Sequence, residues 1–329
     1  MKIAVCEGDG IGHEVIPPAK EVLKHFLPDA DYFDVFVGYD KWKETGESSS
    51  DSDIALFKSS DAILFGAITT PPVPEYKSVI LRIRQELDLY ANLRPVKGSI
   101  FGQDFDIMIV RENTEGLYSG IEEIGEERST TLRVITKHGS ERIAKMACTL
   151  SIERGHKMPL VIGNKANVLK SDVLFRDSCI KTAGLMGVKT KPMFIDALTF
   201  DVLMHPLSYD VIVTTNLFGD ILSDACGYLT GGLGMLPSAN IGEKNAFFEP
   251  VHGSAPDIAG QGIANPSAAI RSAAMMLDYF GMKKEAGIVE DAVIKVISSG
   301  VKTPDLGGKN STKEAGEKIL EYIKKIDST

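Results

Sequence analysis

Two aspartates, Asp220 and Asp224, sit four residues apart in Gly219-Asp220-Ile221-Leu222-Ser223-Asp224. On a helix, that spacing puts both carboxylates on one face, where like charges cost about 0.2–0.5 kcal/mol. A divalent cation would offset the repulsion, and oxygen-only ligands favour Mg²⁺ or Mn²⁺ over Zn²⁺. A solvated helix face would carry the same pair. Three arginines form a second constellation: Arg84, Arg94 and Arg111 each lie at the edge of an apolar segment. Guanidinium groups there suit bidentate capture of carboxylate or phosphate, although any one of them also suits a surface ion pair. Lys165 stands just past an apolar strand in Gly163-Asn164-Lys165-Ala166-Asn167. A lysine so placed can serve as a general base or be an ordinary loop lysine. Tyr118 can be a proton donor or a packed ring.

Two loops are rich in small residues. Glu7-Gly8-Asp9-Gly10-Ile11-Gly12-His13-Glu14 follows an apolar strand and opens a helix. It fails the dinucleotide fingerprint, because the third glycine would fall at His13. The stretch Phe248–Gly260 contains Glu249-Pro250-Val251-His252-Gly253-Ser254-Ala255-Pro256-Asp257-Ile258. Its small residues let backbone approach a flat ligand, and Asp257 can accept hydrogen bonds from a ribose diol.

These residues must be carried by an alternation of short apolar runs and longer amphipathic stretches. Strands are expected at Ile3–Cys6, Ala62–Phe65, Ile107–Val110, Leu132–Thr136, Leu160–Gly163 and Val211–Thr214, among others. Helices are expected at Glu14–Phe26, Ser78–Leu89, Asp220–Leu229 and Ser311–Ile326, among others. This is an α/β pattern with a largely parallel sheet. The 329 residues suffice for two domains, and no flexible linker shows, so a second domain must be wound into the first. A net charge of −9 argues against a nucleic-acid footprint. No run approaches the ~18 apolar residues of a membrane span. The start reads as a first strand rather than a signal segment, so a cytoplasmic location is expected. The four cysteines lack metal or redox spacing and read as buried, reduced thiols.

Taken together and in order, these segments resemble the β-decarboxylating dehydrogenases: the isocitrate, homoisocitrate and 3-isopropylmalate enzymes. The segments are Gly8–Gly12, Ala91-Asn92-Leu93-Arg94-Pro95, Val110–Tyr118, Lys165–Leu169, Asn216–Asp224, Gly231–Gly234 and Glu249–Pro266, with Thr303–Gly308 also fitting. The resemblance implies a two-domain α/β fold with a discontinuous first domain and the active site in the interdomain cleft. It puts residues 1–90 and 232–329 in a cofactor-binding domain, and 91–231 in a substrate, metal and dimerisation domain. It implies that Arg84, Arg94 and Arg111 bind malate carboxylates. Tyr118 would protonate the enol, and Lys165 would take the 2-hydroxyl proton. Asp196 would join Asp220 and Asp224 on the metal. Lys165 and Asp196 would come from the partner of a homodimer, with a tetramer as the larger alternative. Segment 119–136 would be an arm at that interface.

The resemblance also places Thr69, Asn167, Asn216, Glu249, His252, Gly253, Ser254, Ala255, Asp257, Ile258 and Asn265 against the cofactor. NADP-using members carry Lys-Tyr where this chain has Asp257-Ile258, which implies NAD. Substrate choice falls to the segment before Arg84. Apolar Ile80 favours an isopropyl group, whereas Lys77, Ser78 and Arg82 favour a third carboxylate. The expectation is 3-isopropylmalate, in leucine biosynthesis, with homoisocitrate and then isocitrate as alternatives. All five catalytic and metal residues are present, which argues against a non-catalytic regulatory subunit.

Overall fold

The computed structural model describes residues 1–73 and 75–328, which form two compact units. The first comprises residues 1–87, 231–239 and 243 onwards; the second comprises 88–230 and 240–242. In chain order, the first unit begins with β1 (Lys2–Gly8), α1 (Gly12–Phe26), β2 (Asp31–Asp34), α2 (Tyr39–Thr45), α3 (Asp51–Ser59), β3 (Ala62–Ala67) and α4 (Val79–Glu86). The second unit holds β4 (Ala91–Ile100), β5 (Gln103–Glu112), β6 (Glu122–Glu123), β7 (Thr130–Thr131), α5 (Lys137–Glu153), β8 (Leu160–Asn164) and α6 (Ser171–Leu185). It continues through β9 (Thr190–Phe194), α7 (Ile195–Met204), β10 (Val211–Thr214) and α8 (Asn216–Cys226). The chain returns through β11 (Pro237–Ile241), whose last residues belong to the second unit. It ends with β12 (Ala246–Pro250), α9 (Ser267–Tyr279), α10 (Lys283–Ser298) and α11 (Thr312–Asp327).

In the first unit, β1 pairs in parallel with β2 and β3, and β3 with β12. Every residue of β3 is buried, as an apolar strand covered on both sides requires. Helices α1 and α9 pack on these strands, and α10 and α11 pack on α9 and α1. In the second unit, β5, β10, β8 and β9 run parallel in that order. Its core joins Val110, Leu160, Ile162 and Val213 of the strands to Ile143, Ala147 and Phe175 of α5 and α6.

The α/β architecture matches expectation, with two local corrections. The sheet is mixed, because β4 runs antiparallel to β5. Strand β4 escapes the apolar pattern because Asn92, Arg94, Lys97 and Gly98 interrupt it. The strand expected at Leu132–Thr136 is absent. The pairing there is the two-residue ribbon of β6 and β7, exposed throughout. Among the described residues, no helix is long and apolar enough to cross a membrane. All four cysteines are free and buried, and burial pushes the Cys148 thiol up to about 11 and the Cys226 thiol up to about 12.

Candidate active site

The second unit gathers its charged residues beyond the carboxyl ends of its parallel strands, where α/β proteins place ligands. Arg111 is the next-to-last residue of β5, level with Thr214 at the end of β10. Asn92 lies opposite Arg111, near the start of antiparallel β4, and Arg94 follows two residues on. Helix α8 begins immediately after β10 and carries Asp220 and Asp224 one turn apart.

Arg111 is 1% exposed, and its guanidinium donates to Asp220 Oδ1 at 2.6 Å and to Asn216 Oδ1 at 2.7 Å. Arg94 pairs with Asp220 Oδ1 at 3.1 Å and donates to Asp224 Oδ1 at 3.0 Å and Ser223 Oγ at 2.6 Å. Asn92 accepts from Arg94 Nε at 2.7 Å, which fixes the plane of that guanidinium. The Tyr118 hydroxyl donates to Asp220 Oδ2 at 2.8 Å, and the Arg111 guanidinium lies over the Tyr118 ring. Thus Arg94, Arg111, Tyr118, Asp220, Asp224 and Asn216 come together as one network. Burial lifts the Asp224 carboxyl above its ordinary range; Arg94 opposes this and Asp220 adds to it. Asp224 Oδ2 accepts no hydrogen bond among the described residues. Two hard-oxygen carboxylates one turn apart, with Asp224 Oδ2 unengaged, fit a divalent cation.

Lys165 and Asp196 form a separate pair. Each follows the end of a neighbouring strand, β8 or β9, and Lys165 Nζ meets Asp196 Oδ1 at 2.5 Å. Asp196 therefore does not join Asp220 and Asp224 within the chain. Among the described residues, no three carboxylate, imidazole or thiol groups gather as a metal cage. Asn167 lies on the same loop, after Lys165.

That loop is held by two residues the sequence did not flag. Fully buried Asp172 accepts from the Lys165 backbone N–H at 2.6 Å. Arg133 pairs with Asp172 at 2.5 Å, donates to Ser171 Oγ and Thr215 Oγ1, and lies over the Phe218 ring. The partners of Arg133 are scattered from 171 to 218, so no local spacing could reveal it.

In the first unit, the ends of β1, β3 and β12 carry the small-residue loops. Ile11 N–H donates to Ser254 carbonyl at 2.9 Å, and Thr69 Oγ1 to Ser254 Oγ at 2.7 Å. Gly10 stands at φ +57, and a Cβ there would fall 2.2 Å from the Ser254 carbonyl oxygen. Its bareness lets the two loops touch. Glu14 accepts from Gly260 N–H at 2.6 Å and so ties the second loop to α1. Within that loop, His252 Nδ1 donates to the Gly253 carbonyl, leaving Nε2 buried with no partner among the described residues. Burial holds the imidazole below its ordinary pKa. The Asp257 carboxylate is exposed and accepts no hydrogen bond among the described residues. A buried acceptor and an unengaged carboxylate on one loop fit the base and ribose of a dinucleotide. Ala255 and Ile258 lie between and beside them. Asn265 accepts from Ser267 N–H just ahead of α9 and donates to Asp305.

Arg84 is also in this unit, buried, donating to Glu249 Oε1 at 3.2 Å with its Nε unpartnered among the described residues. Ser78 caps α4 by accepting from Leu81 N–H at 3.4 Å. Lys77 is exposed and Ile80 half-buried. Arg82, expected to favour a third carboxylate, instead turns to the Ser49 carbonyl and Asp51.

The profile of the isocitrate/isopropylmalate dehydrogenase family matches residues 2–319. The homoisocitrate dehydrogenase of Methanocaldococcus jannaschii is 43% identical over 99% of this chain and 98% of its own. The 3-isopropylmalate dehydrogenase of Archaeoglobus fulgidus is 45% identical over 98% of this chain and 99% of its own. The crystal structure of isocitrate dehydrogenase from Methylococcus capsulatus superposes with a TM-score of 0.92 at 37% identity, covering 98% of this chain and 99% of that one. Relatives named for different substrates stand at similar identity, and all are dehydrogenases. The chain is an enzyme and belongs to the isocitrate/isopropylmalate dehydrogenase family.

Proposed function

We propose that the chain is an NAD- and divalent-metal-dependent dehydrogenase that oxidises and decarboxylates a 3-substituted malate, with 3-isopropylmalate as its substrate. The observation that carries the reaction class is the Arg94–Arg111–Tyr118–Asp220–Asp224 network, which supplies anion binders, a proton donor and hard-oxygen ligands together. Arg94 and Arg111 bind substrate carboxylates in place of Asp220. Arg84 takes the same role from the first unit. Asp220 and Asp224, with Asp196 of the partner subunit, hold the cation. When bound, the cation supplies Lewis acidity toward the substrate's hydroxyl and ketone oxygens. Lys165, also from the partner subunit, accepts the 2-hydroxyl proton. Tyr118 then donates its proton to the enol left by loss of CO₂. Bound NAD, held by the loop that carries His252 and Asp257, would supply the hydride acceptor. Asp257 accepts from the ribose 2′-hydroxyl and repels a 2′-phosphate, which favours NAD.

Self-association through the second unit is consistent with its exposed Ile121, Ile124 and Leu132 near the ribbon and Phe200 and Met204 on α7. The units then divide the work: the first binds NAD and supplies Arg84, Ser78 and Ile80 to the substrate, and the second holds substrate and metal and dimerises.

Half-buried Ile80 and the engagement of Arg82 elsewhere support an isopropyl substituent. A third carboxylate is the second reading, favoured by exposed Lys77 and by Ser78, whose hydroxyl proton is free to be donated. The homoisocitrate names among relatives favour it too. The deciding experiment measures NADH formation with NAD and Mg²⁺ on 3-isopropylmalate, homoisocitrate and isocitrate, with and without EDTA. The expected outcome is highest kcat/KM on 3-isopropylmalate, loss of turnover in EDTA and recovery with Mg²⁺. A preference for a tricarboxylate selects the second reading. EDTA-resistant turnover removes the metal site.

A further inference from the structure

The segment that opens α4 is fixed by a stretch of chain far upstream. Tyr76 is 8% exposed, and its ring stands edge-on to both Tyr39 and Trp42, with centroids 6.1 and 5.9 Å away. Tyr39 and Trp42 stack on each other at 5.7 Å along α2. One residue beyond Tyr76, the Lys77 carbonyl accepts from the buried Ser48 hydroxyl at 2.8 Å. Further on, Arg82 is tied to Ser49 and Asp51. Ser78 and Ile80 thus lie on a span anchored at both ends by residues 39–51.

Helix α2 does not hold itself. It has seven residues and no fully buried side chain, well short of what an isolated helix needs. Its first two N–H groups, of Tyr39 and Asp40, donate to buried Asp9 at 2.9 Å each. Asp9 also accepts from Thr69 N–H at 2.8 Å. Gly38, at φ +128, makes this possible, since a Cβ there would fall 2.6 Å from Asp9 Oδ1. The β1–α1 turn therefore fixes α2, and the aromatic stack on α2 backs Tyr76.

We propose that Trp42 is a positioning residue for substrate selection. By stacking on Tyr39 and backing Tyr76, it sets where Ser78 and Ile80 stand, and through them which 3-substituent is accepted. This rests on the reading of the substrate as a 3-substituted malate. Loss of Trp42 as mere packing would lower turnover of every substrate alike. Loss of a positioning residue changes their ratio, because the reacting end of the malate is held by other groups.

The test compares wild type, Trp42→Ala, Trp42→Phe and Ser48→Ala, full-length, with NAD and Mg²⁺. The substrates are 3-isopropylmalate, homoisocitrate and malate, which has no 3-substituent. Trp42→Ala should change the ratio of kcat/KM between the two substituted malates by about five-fold or more, mainly through KM. Malate turnover should change less than about two-fold. Trp42→Phe should restore the ratio, and Ser48→Ala should move it in the same direction as Trp42→Ala. An unchanged ratio, or an equal loss on all three substrates, overturns the proposal. If circular dichroism shows Trp42→Ala unfolded, Ser48→Ala decides alone, and an unmoved ratio there overturns it. A wild type that turns over none of the three, and not isocitrate either, removes the substrate reading and this proposal with it. A discriminating wild type with unmoved variants removes this proposal only.

Discussion

Asp220 is the residue on which the site's charges converge, taking both guanidiniums on one oxygen and the Tyr118 hydroxyl on the other. The four-residue spacing of Asp220 and Asp224 was legible in the sequence, as was the strand-end placement of Arg111 and Lys165. What was not legible is who holds them. Arg133 reaches Asp172, Thr215 and Phe218 across long sequence separations, and Asp9 bonds residues 39, 40 and 69 from within a turn that reads as punctuation. His13, which breaks the dinucleotide fingerprint, has a role of its own. Its Nδ1 meets Glu7 at 3.0 Å and its Nε2 meets Asp40 at 3.5 Å. Partial burial disfavours its charge, but the two carboxylates outweigh this and raise its pKa above 6.5. A raised folded pKa contributes stability that is full below the unfolded value and is lost as pH rises through the folded one. Because the ring is about half exposed, the contribution is below ~1 kcal/mol. His13→Asn should therefore melt lower than wild type near about pH 5.5 and match it above about pH 8.5. A gap that stays constant across that range in a thermal-melt series would rule out the charged pairing.

Elements with clear ends were the easiest to read. Helix α11 was expected at Ser311–Ile326 and runs Thr312–Asp327, because Ser311 and Glu314 form a reciprocal cap. Ser311→Ala should cost about 1 kcal/mol in urea denaturation. An unchanged midpoint would mean the helix start is held by Thr312 N–H on the Gly262 carbonyl instead. Elements α2, α3 and α7 were missed for contrasting reasons. Helix α2 has no buried stripe to give a period. Helix α3 uses Asp53 in place of the usual glutamate in its capping box. Helix α7 follows β9 without a turn residue between them. The expected strand at Leu132–Thr136 failed because its apolar residues alternate on a segment whose backbone is engaged by the Glu115 carboxylate and the Gly116 strand-like bridge rather than by a sheet.

For the whole molecule, the separation of the Lys165–Asp196 pair from the Asp220 network bears directly on assembly. If Lys165 serves the partner's site, a Lys165→Ala subunit and a Tyr118→Phe subunit can complement each other. Each variant alone should be nearly inactive. Co-refolding equal amounts should restore about a quarter of wild-type turnover, since half the dimers would be mixed and each mixed dimer has one intact site. No recovery would place Lys165 in its own chain's site. The two units also differ in how the chain supplies them. Apart from residues 240–242, the second is one continuous stretch, 88–230, whereas the first is built from the stretches on either side of it. Strand β3 waits for β12, and the hydrogen bond from His25 to Asp327 closes a loop of 302 positions. On the ribosome, β3 emerges long before its partner β12 and keeps an open apolar edge while the inserted unit is free to close. The inserted unit can thus fold before the unit that encloses it is complete, and the open side of β3 is an edge in need of shielding from other chains until β12 arrives.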